Sequence, residues 1–321
     1  MKDELAVLEI FLHNQVIGTV TRLPDDRNLF SFTQEYIDNP LRPTLSLSFK
    51  DGLGNLITDI KATRTRLSPF FTNILPEGYM RDYLAAHANV NPDREFYLLA
   101  ALGNDLPGAI KTGPITYASS NTAVASIHDE RAENGIKNGT LHFSLAGVQL
   151  KFSGIWENEV GLTIPVNGTG GSWIVKLPSP SFVGVPQNEY VMMELARQIG
   201  IDVPQTALIP VDQIKGLPRD IGSLGTHAFV IKRFDRKENG EAVHIEDFAQ
   251  VFGVYPEKKY QSASNRNIVE VVWAEIGPKG LVEFIRRFVF NALIGNGDMH
   301  LKNWSLIYPD KRRAELAPAY D

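Results

Sequence analysis

The sequence predicts an α+β protein in which a small β-rich region precedes a larger, two-lobed one. Three observations carry that expectation. Alternating apolar and polar residues dominate up to residue 49 and recur between 141 and 234, whereas helical spacing dominates from 245 onward. A polar stretch with little periodicity, 119–139, separates the two regions and reads as a linker, giving domains at 1–118 and 140–321. The segment Gly-Asn-Gly-Asp-Met-His-Leu-Lys-Asn at 295–303 is too polar and glycine-rich for a core, and it directly follows the strongest amphipathic run.

Taken in order, residues 5–23 alternate around His13-Asn14 and predict a β-hairpin. Residues 29–36 and 44–49 read as two further strands, the second with Leu45, Leu47 and Phe49 on one face. Pro76-Glu77-Gly78 opens a helix carrying Tyr79, Tyr83, Leu84 and Ala88 at helical spacing. Asp93 is placed to cap a second helix over 95–102, and residues 111–118 return to strand. Beyond the linker, 141–152, 160–164, 173–177, 207–211 and 228–234 predict strands. Residues 188–199 predict an amphipathic helix stopped by Gly200, and 281–294 a helix running into the polar segment.

A hydrophobic fraction of 43% and a net charge of -5 describe a globular, mildly acidic chain, which argues against binding nucleic acid through bulk charge. The absence of cysteine removes disulfides, thiolate metal sites and cysteine nucleophiles together. No histidine pair has zinc spacing, so no zinc site is expected. The N-terminus lacks the apolar core of a signal peptide, and no apolar run approaches the ~18 residues of a membrane span. A soluble, cytoplasmic protein with no membrane contact is the expectation.

Chemistry concentrates in a few places. Asp298 stands five residues before Asn303, the spacing of a kinase catalytic loop, in which the Asp engages the nucleophilic hydroxyl and the Asn holds magnesium. His300 reads as a strut under that loop or a group approaching phosphate, and Lys302 as a phosphate cation or a solvated side chain. Asp321, after a short apolar run, stands where a second metal ligand belongs. Lys176 sits in the apolar strand Trp-Ile-Val-Lys, where its charge must be answered, and Glu189 or Glu194 on the following helix would brace it. The 144–151 segment, with Gly147 and Lys151, is a candidate phosphate cradle or an ordinary hairpin. The 229–235 strand is a candidate hinge or an ordinary core strand.

These segments together resemble the HipA family of bacterial serine/threonine kinases, the toxins of HipA–HipB toxin–antitoxin pairs. The resemblance rests on 73–78 and 102–109 in the first region, and on 144–151, 173–178, 188–190, 229–236, 297–303 and 316–321 in the second. It implies a protein-kinase-like fold that uses ATP and magnesium, with Asp298 as catalytic base and Asn303 and Asp321 as metal ligands. Ala146, Gly147, Val148, Gln149, Leu150, Lys151, Lys176, Lys232, Arg233 and Phe234 would contact ATP. His300, Leu301, Lys302, Asn303, Tyr320 and Asp321 would lie near its phosphates. Ser144 falls at the serine that family members phosphorylate on themselves, adding roughly −1.5 to −2 charges beside the phosphate site and switching the enzyme off.

The implied substrate is an aminoacyl-tRNA synthetase, the glutamyl enzyme above all. The implied partner is a HipB-like helix-turn-helix antitoxin that carries the complex to operator DNA. Family members continue past the Tyr-Asp motif as an all-helical region. Measured against them, this chain is expected to lack most of that region, which leaves Asp321 on a free chain end. A small-molecule kinase and a non-catalytic, nucleotide- or antitoxin-binding pseudokinase are the alternatives.

Overall fold

The computed structural model of the protein describes residues 6–114, 150–157, 161–164, 171–179, 182–217 and 225–321. The expected linker, Ser144 and the loop 146–149 lie outside these residues, as does most of the strand expected at 141–152.

The first region is built on β1 (Ala6–Leu12), β2 (Gln15–Arg22), β3 (Arg27–Phe32), β4 (Thr63–Arg64) and β5 (Ile110–Pro114), in the order β4-β3-β2-β1-β5. The predicted hairpin forms, with His13 and Asn14 at φ 52° and 64° in its two-residue turn. That pair of positive φ values matches the right-handed twist of the flanking strands. Strand alternation turns Leu8, Ile10 and Leu12 onto one buried face. Around that face pack the helices α1 (Gln34–Asp38), α2 (Pro69–Ile74), α3 (Gly78–His87) and α4 (Glu95–Leu102).

Two expected strands change character here. The 29–36 strand stops at Phe32 because the Thr33 hydroxyl accepts from the Tyr36 amide and starts α1. Residues 44–49 form no strand. Instead, Ser46 and Leu47 donate to a carboxylate 200 and 199 positions away, Glu246, and Leu47–Phe49 coils into one turn of 3₁₀ helix. The helix expected over 95–102 forms with those bounds, but its N-cap residue is Arg94 rather than Asp93.

The second region opens with β6 (Lys151–Glu157), β7 (Gly161–Thr163), β8 (Trp173–Lys176), α5 (Val185–Gln198), β9 (Thr206–Pro210) and β10 (His227–Lys232), in sheet order β7-β6-β8-β10-β9. The antiparallel register sets Lys151 and Phe229 opposite Lys176 on its two neighbours, so all three side chains leave the same face. Helix α5 packs on that face through Met193 and Ala196, against Phe229 and Ile231. Met80 and Tyr83 of α3 join the cluster on the other face, with Val175 and Val230.

A third, three-stranded sheet follows: β11 (His244–Asp247), β12 (Ser305–Tyr308) and β13 (Glu315–Leu316), with α6 (Phe248–Val251), α7 (Asn265–Ile276) and α8 (Pro278–Leu293) around it. Asp247 and Gln250 form a reciprocal capping box that turns β11 into α6. Gly295, at φ 72°, stops α8 and releases the polar loop.

The first region is fastened to the third sheet and its helices by hydrogen bonds across the seam. Asn73 Nδ2 donates to Val254 O at 2.7 Å, Gln250 Nε2 to Phe70 O at 3.1 Å, and Arg66 grips Glu257 with two bonds of 2.7 and 2.8 Å. The buried fastener is Glu246, fully excluded from solvent. It accepts from Ser46 Oγ at 2.5 Å, from the Leu47 amide at 3.0 Å and from the Tyr308 hydroxyl.

Burial pushes the Glu246 carboxyl up to about 7 against three donors that pull it down. A raised folded-state pKa makes its contribution full below the ordinary carboxylate range and lost as pH rises through about 7. Glu246→Gln keeps the shape and removes that titration. The stability of the wild type relative to E246Q is therefore expected to fall between pH 5 and pH 8, by roughly 3 kcal/mol at most. Urea melts of both proteins across this range check it, and parallel pH profiles would contradict it.

Candidate active site

Lys176 ends β8 with its side chain only 4% exposed. A buried ammonium needs opposite charge, and two elements supply it. Glu189, one turn into α5, forms an ion pair with it, and Asp321 approaches from the chain end with Oδ1 at 3.5 Å. The Tyr320 carbonyl adds a bond of 3.3 Å, and the Nζ lies 5.5 Å from the centre of the Phe229 ring. Lys151, on the same face one strand away, reaches Asp321 Oδ2 at 3.6 Å. Of the two braces considered for Lys176, Glu189 makes the contact. Glu194 pairs instead with Arg197 and accepts from the Thr206 hydroxyl.

The charges divide unequally. Burial alone would lower the Lys176 pKa, but Asp321 and Glu189 outweigh it and hold it above the ordinary lysine range. Burial likewise pushes Asp321 up, yet Lys176, Lys151 and His300 hold its carboxyl well below the usual range. Glu189 is raised by burial and by the neighbouring Asp321 charge, despite its pairing with Lys176.

The 295–303 loop is organised by its own side chains. The Asn296 amide oxygen accepts from the Asp298 amide at 3.0 Å, and Asn303 Nδ2 donates to the Asp298 carbonyl at 2.7 Å. These bonds turn the Asp298 carboxylate outward, where it is exposed. His300 is buried beneath the loop and caps the 3₁₀ turn Leu301–Asn303, its Nδ1 accepting from the Lys302 amide at 3.2 Å. That is the geometry of a strut. Burial and Lys259 lower its pKa against the opposing pull of Asp298. The loop is then pinned to the chain end by Tyr320, whose hydroxyl donates to Lys302 O and meets Ser305 Oγ, both at 2.7 Å. Burial raises the Tyr320 pKa, so this phenol stays neutral. Leu301 is core rather than cleft.

Lys302 is not a free cation. Its Nζ donates to Asn73 O at 2.7 Å and lies 3.0 Å from Glu77 and 3.5 Å from Asp247. Lys259 holds the other oxygen of Glu77 at 3.1 Å. Burial opposes ionisation of Glu77, and these two lysines nevertheless keep its carboxyl below the ordinary range. The first region thus reaches into the cleft, a role the sequence signalled only through the distinctive 73–78 segment. Tyr260 carried no signal at all. Its hydroxyl donates to Asp298 Oδ1 at 2.6 Å, and its ring stands edge-on to His300.

Lysines 151 and 302, Glu189, Asp298, His300, Asn303, Tyr320 and Asp321 line a single cleft of about 1240 Å³. The three residues considered as a hinge do not. Arg233 and Asp235 are buried and joined by two bonds of 2.9 Å, and Arg233 and Arg236 both reach Asp105, at 2.8 and 3.1 Å. Asp235 also accepts from the Gly108 amide at 2.8 Å, so the network clasps the 105–108 loop. Lys232 pairs with Glu238 at the surface, while Phe234 packs on Tyr320 with ring centres 5.4 Å apart. Leu150 is buried in the sheet core.

The donor set suits a hard cation with a phosphate ligand. Asn303, with its amide nitrogen engaged, leaves its oxygen free to ligate, and Asp321 offers a carboxylate beside two lysines. Among the described residues no three acidic or histidine side chains cluster to hold a metal by themselves. Magnesium takes one or two protein oxygens and completes its shell with water and phosphate, so Asn303 and Asp321 are the residues that would hold it.

A β-sheet with a buried strand lysine braced from a helix, facing a loop with this Asp and Asn spacing, defines a protein-kinase-like enzyme. Comparison with known proteins gives the family. The model of the HipA N-terminal domain matches residues 8–113, and that of the HipA-like C-terminal domain residues 143–321. Y4dM of Sinorhizobium fredii is 52% identical over 320 residues, which cover 99% of this chain and 77% of that protein. The serine/threonine-protein kinase toxin HipA of Shewanella oneidensis is 26% identical over 98% of this chain and 74% of its own length. The fold matches that of Shewanella oneidensis HipA solved with HipB and its operator DNA, with a TM-score of 0.72 at 24% identity, covering 98% of this chain and 75% of that one. The chain belongs to the HipA family of kinases.

The bracing of Lys176 makes a direct stability prediction. Glu189→Gln removes one of two charges answering a buried ammonium, and is expected to cost about 1–2 kcal/mol in a urea melt. Unchanged or increased stability would show that Asp321 suffices alone.

Proposed function

We propose that this chain is the toxin of a toxin–antitoxin pair, an ATP- and magnesium-dependent protein serine/threonine kinase. The observation that carries this reading is the convergence of Asp298, Asn303 and Asp321 on one cleft, with the buried, Glu189-braced Lys176 paired to Asp321 in its wall. Phosphoryl transfer needs positioning and charge stabilisation more than covalent chemistry, and these side chains supply both.

Asp298, exposed at the rim, accepts the proton of the attacking serine or threonine hydroxyl. Tyr260 now occupies that acceptor position on Asp298 Oδ1, and the substrate hydroxyl takes its place. Lys176, held by Glu189, presents its charge to the nucleotide phosphates, with Lys151 beside it. Asn303 and Asp321 would hold magnesium, which neutralises charge on the phosphates when bound. The 146–149 segment and backbone near 232–234 would complete the nucleotide site. Ser144 is the proposed site of self-phosphorylation.

The substrate proposed is an aminoacyl-tRNA synthetase, the glutamyl enzyme foremost, so that charged tRNA falls and growth arrests in the cytoplasm. The partner proposed is a HipB-like antitoxin that brings operator DNA to the complex. The Shewanella relative solved with HipB and its operator supports that choice, as does this chain's own charge of -5.

Incubation with Mg-ATP and a cytosolic extract tests the reaction. Phosphate is expected on a synthetase and lost by at least about a hundredfold in Asp298→Asn. Transfer confined to small molecules, or nucleotide binding without transfer, would contradict the proposal. Ser144→Ala is expected to abolish self-phosphorylation, checked by mass spectrometry of the protein after incubation with Mg-ATP. Modification at the wild-type level would remove that assignment.

A further inference from the structure

Among the described residues, more basic side chains are answered by acids than not. Around the cleft, Lys151, Lys176, Lys259 and Lys302 all lie within ion-pair distance of carboxylates, and elsewhere Arg66, Arg81, Arg94 and Arg287 do too. Of the described basic side chains without such a pair, four converge on one place. Arg42, Lys50, Arg312 and Arg313 line a second cavity, of about 470 Å³, between the 36–56 loop of the first region and the turn joining β12 to β13. It shares no lining residue with the catalytic cleft.

Among the described residues none of the four has a carboxylate within ion-pair distance. Arg42 donates to the carbonyls of Ile37 and Asn39, both at 3.1 Å, and Lys50 to Thr44 Oγ1 at 3.2 Å. Arg312 reaches the Pro40 carbonyl at a long 3.4 Å. The acid in the lining, Asp310, is turned to the backbone, accepting from the amides of Arg312 and Arg313 at 2.9 and 2.7 Å.

The walls are built rather than incidental. Thr44 ties the two segments together, its amide donating to Lys311 O at 2.8 Å and its hydroxyl to Arg312 O at 2.9 Å. Tyr36 fixes the loop by donating to Pro43 O at 2.6 Å. Buried Tyr36, Leu45 and Phe49 give the cavity an apolar side. Four cations against the single carboxylate of Asp310 leave the hollow with an excess of positive charge, which favours an anion. The volume falls within the roughly 300–1,000 Å³ of small-molecule sites. A concave, apolar-backed site suits a compact ligand better than a polymer backbone, which needs an open track.

We propose that this cavity binds a small phosphorylated ligand with a planar apolar body, of the size of a nucleoside diphosphate. Its phosphates meet Arg42, Lys50, Arg312 and Arg313, and its ring rests against Tyr36, Leu45 and Phe49. Bound there, it bridges the first region to the turn that leads through β13 to Asp321. This proposal is independent of the kinase reading.

The chain contains no cysteine, so Leu53→Cys, at an 89% exposed position beside Gly54 of the lining, gives a unique fluorophore position. The labelled protein is titrated with inorganic pyrophosphate and with GDP. A saturable response to both is expected, tighter for GDP, and weakened at least about tenfold in the exposed pair R312A/R313A. Lys50→Gln, with its own separate contact, is expected to weaken both as well. Binding in the catalytic cleft would be untouched by these variants, so an affinity unchanged in both overturns the proposal. A response that never saturates, or one to duplex DNA but not to the small phosphates, overturns it equally.

Discussion

The site depends on one buried ammonium. Leaving Lys176 unpaired in the sheet would cost several kcal/mol, so β8 can carry it only if carboxylates arrive from elsewhere. Helix α5 brings Glu189 and the chain end brings Asp321. Satisfying that single charge therefore fixes the approach of α5 to the sheet and the position of the last residues. Because Tyr320 pins those residues to Lys302 O, the same constraint sets the 295–303 loop against the sheet. The electrostatics that stabilise the fold are those that assemble the cleft.

The first region belongs to this assembly and does more than sit beside it. Glu77 and Asn73 hold Lys302 at the heart of the loop, and Glu246 closes the seam beneath. On a second front the Asp105, Arg233, Asp235 and Arg236 network clasps the 105–108 loop against the end of β10. Such fully paired networks are strong where every member is satisfied, and costly to open by one member alone. The two regions are coupled through charge on both fronts.

What was legible in the sequence was local or carried by a residue out of place. A lysine in an apolar strand demands a partner, and the helix that follows supplied it at Glu189. The Asp298 and Asn303 spacing is a property of one loop, readable without the rest. The hairpin turn and one helix end followed from alternation and a glycine stop, as at His13-Asn14 and Gly200. The failures share one physical origin. Residues 44–49 have the pattern of a strand, but their donors are taken by Glu246, some 200 positions away. Tyr260 meets Asp298, and Arg233 meets Asp105, through contacts that no local periodicity encodes. Arg233 stands in the candidate hinge strand, and its side chain is a buried structural charge paired with Asp105 and Asp235.

Under the proposed function, Asp321 serves two partners, the buried Lys176 and a magnesium ion delivered with nucleotide. Calorimetric titration of ATP, with and without magnesium, into the wild type and Asp321→Asn tests it most directly. The account predicts that magnesium strengthens ATP binding to the wild type and has little effect on D321N. An equal magnesium effect in both proteins would contradict it.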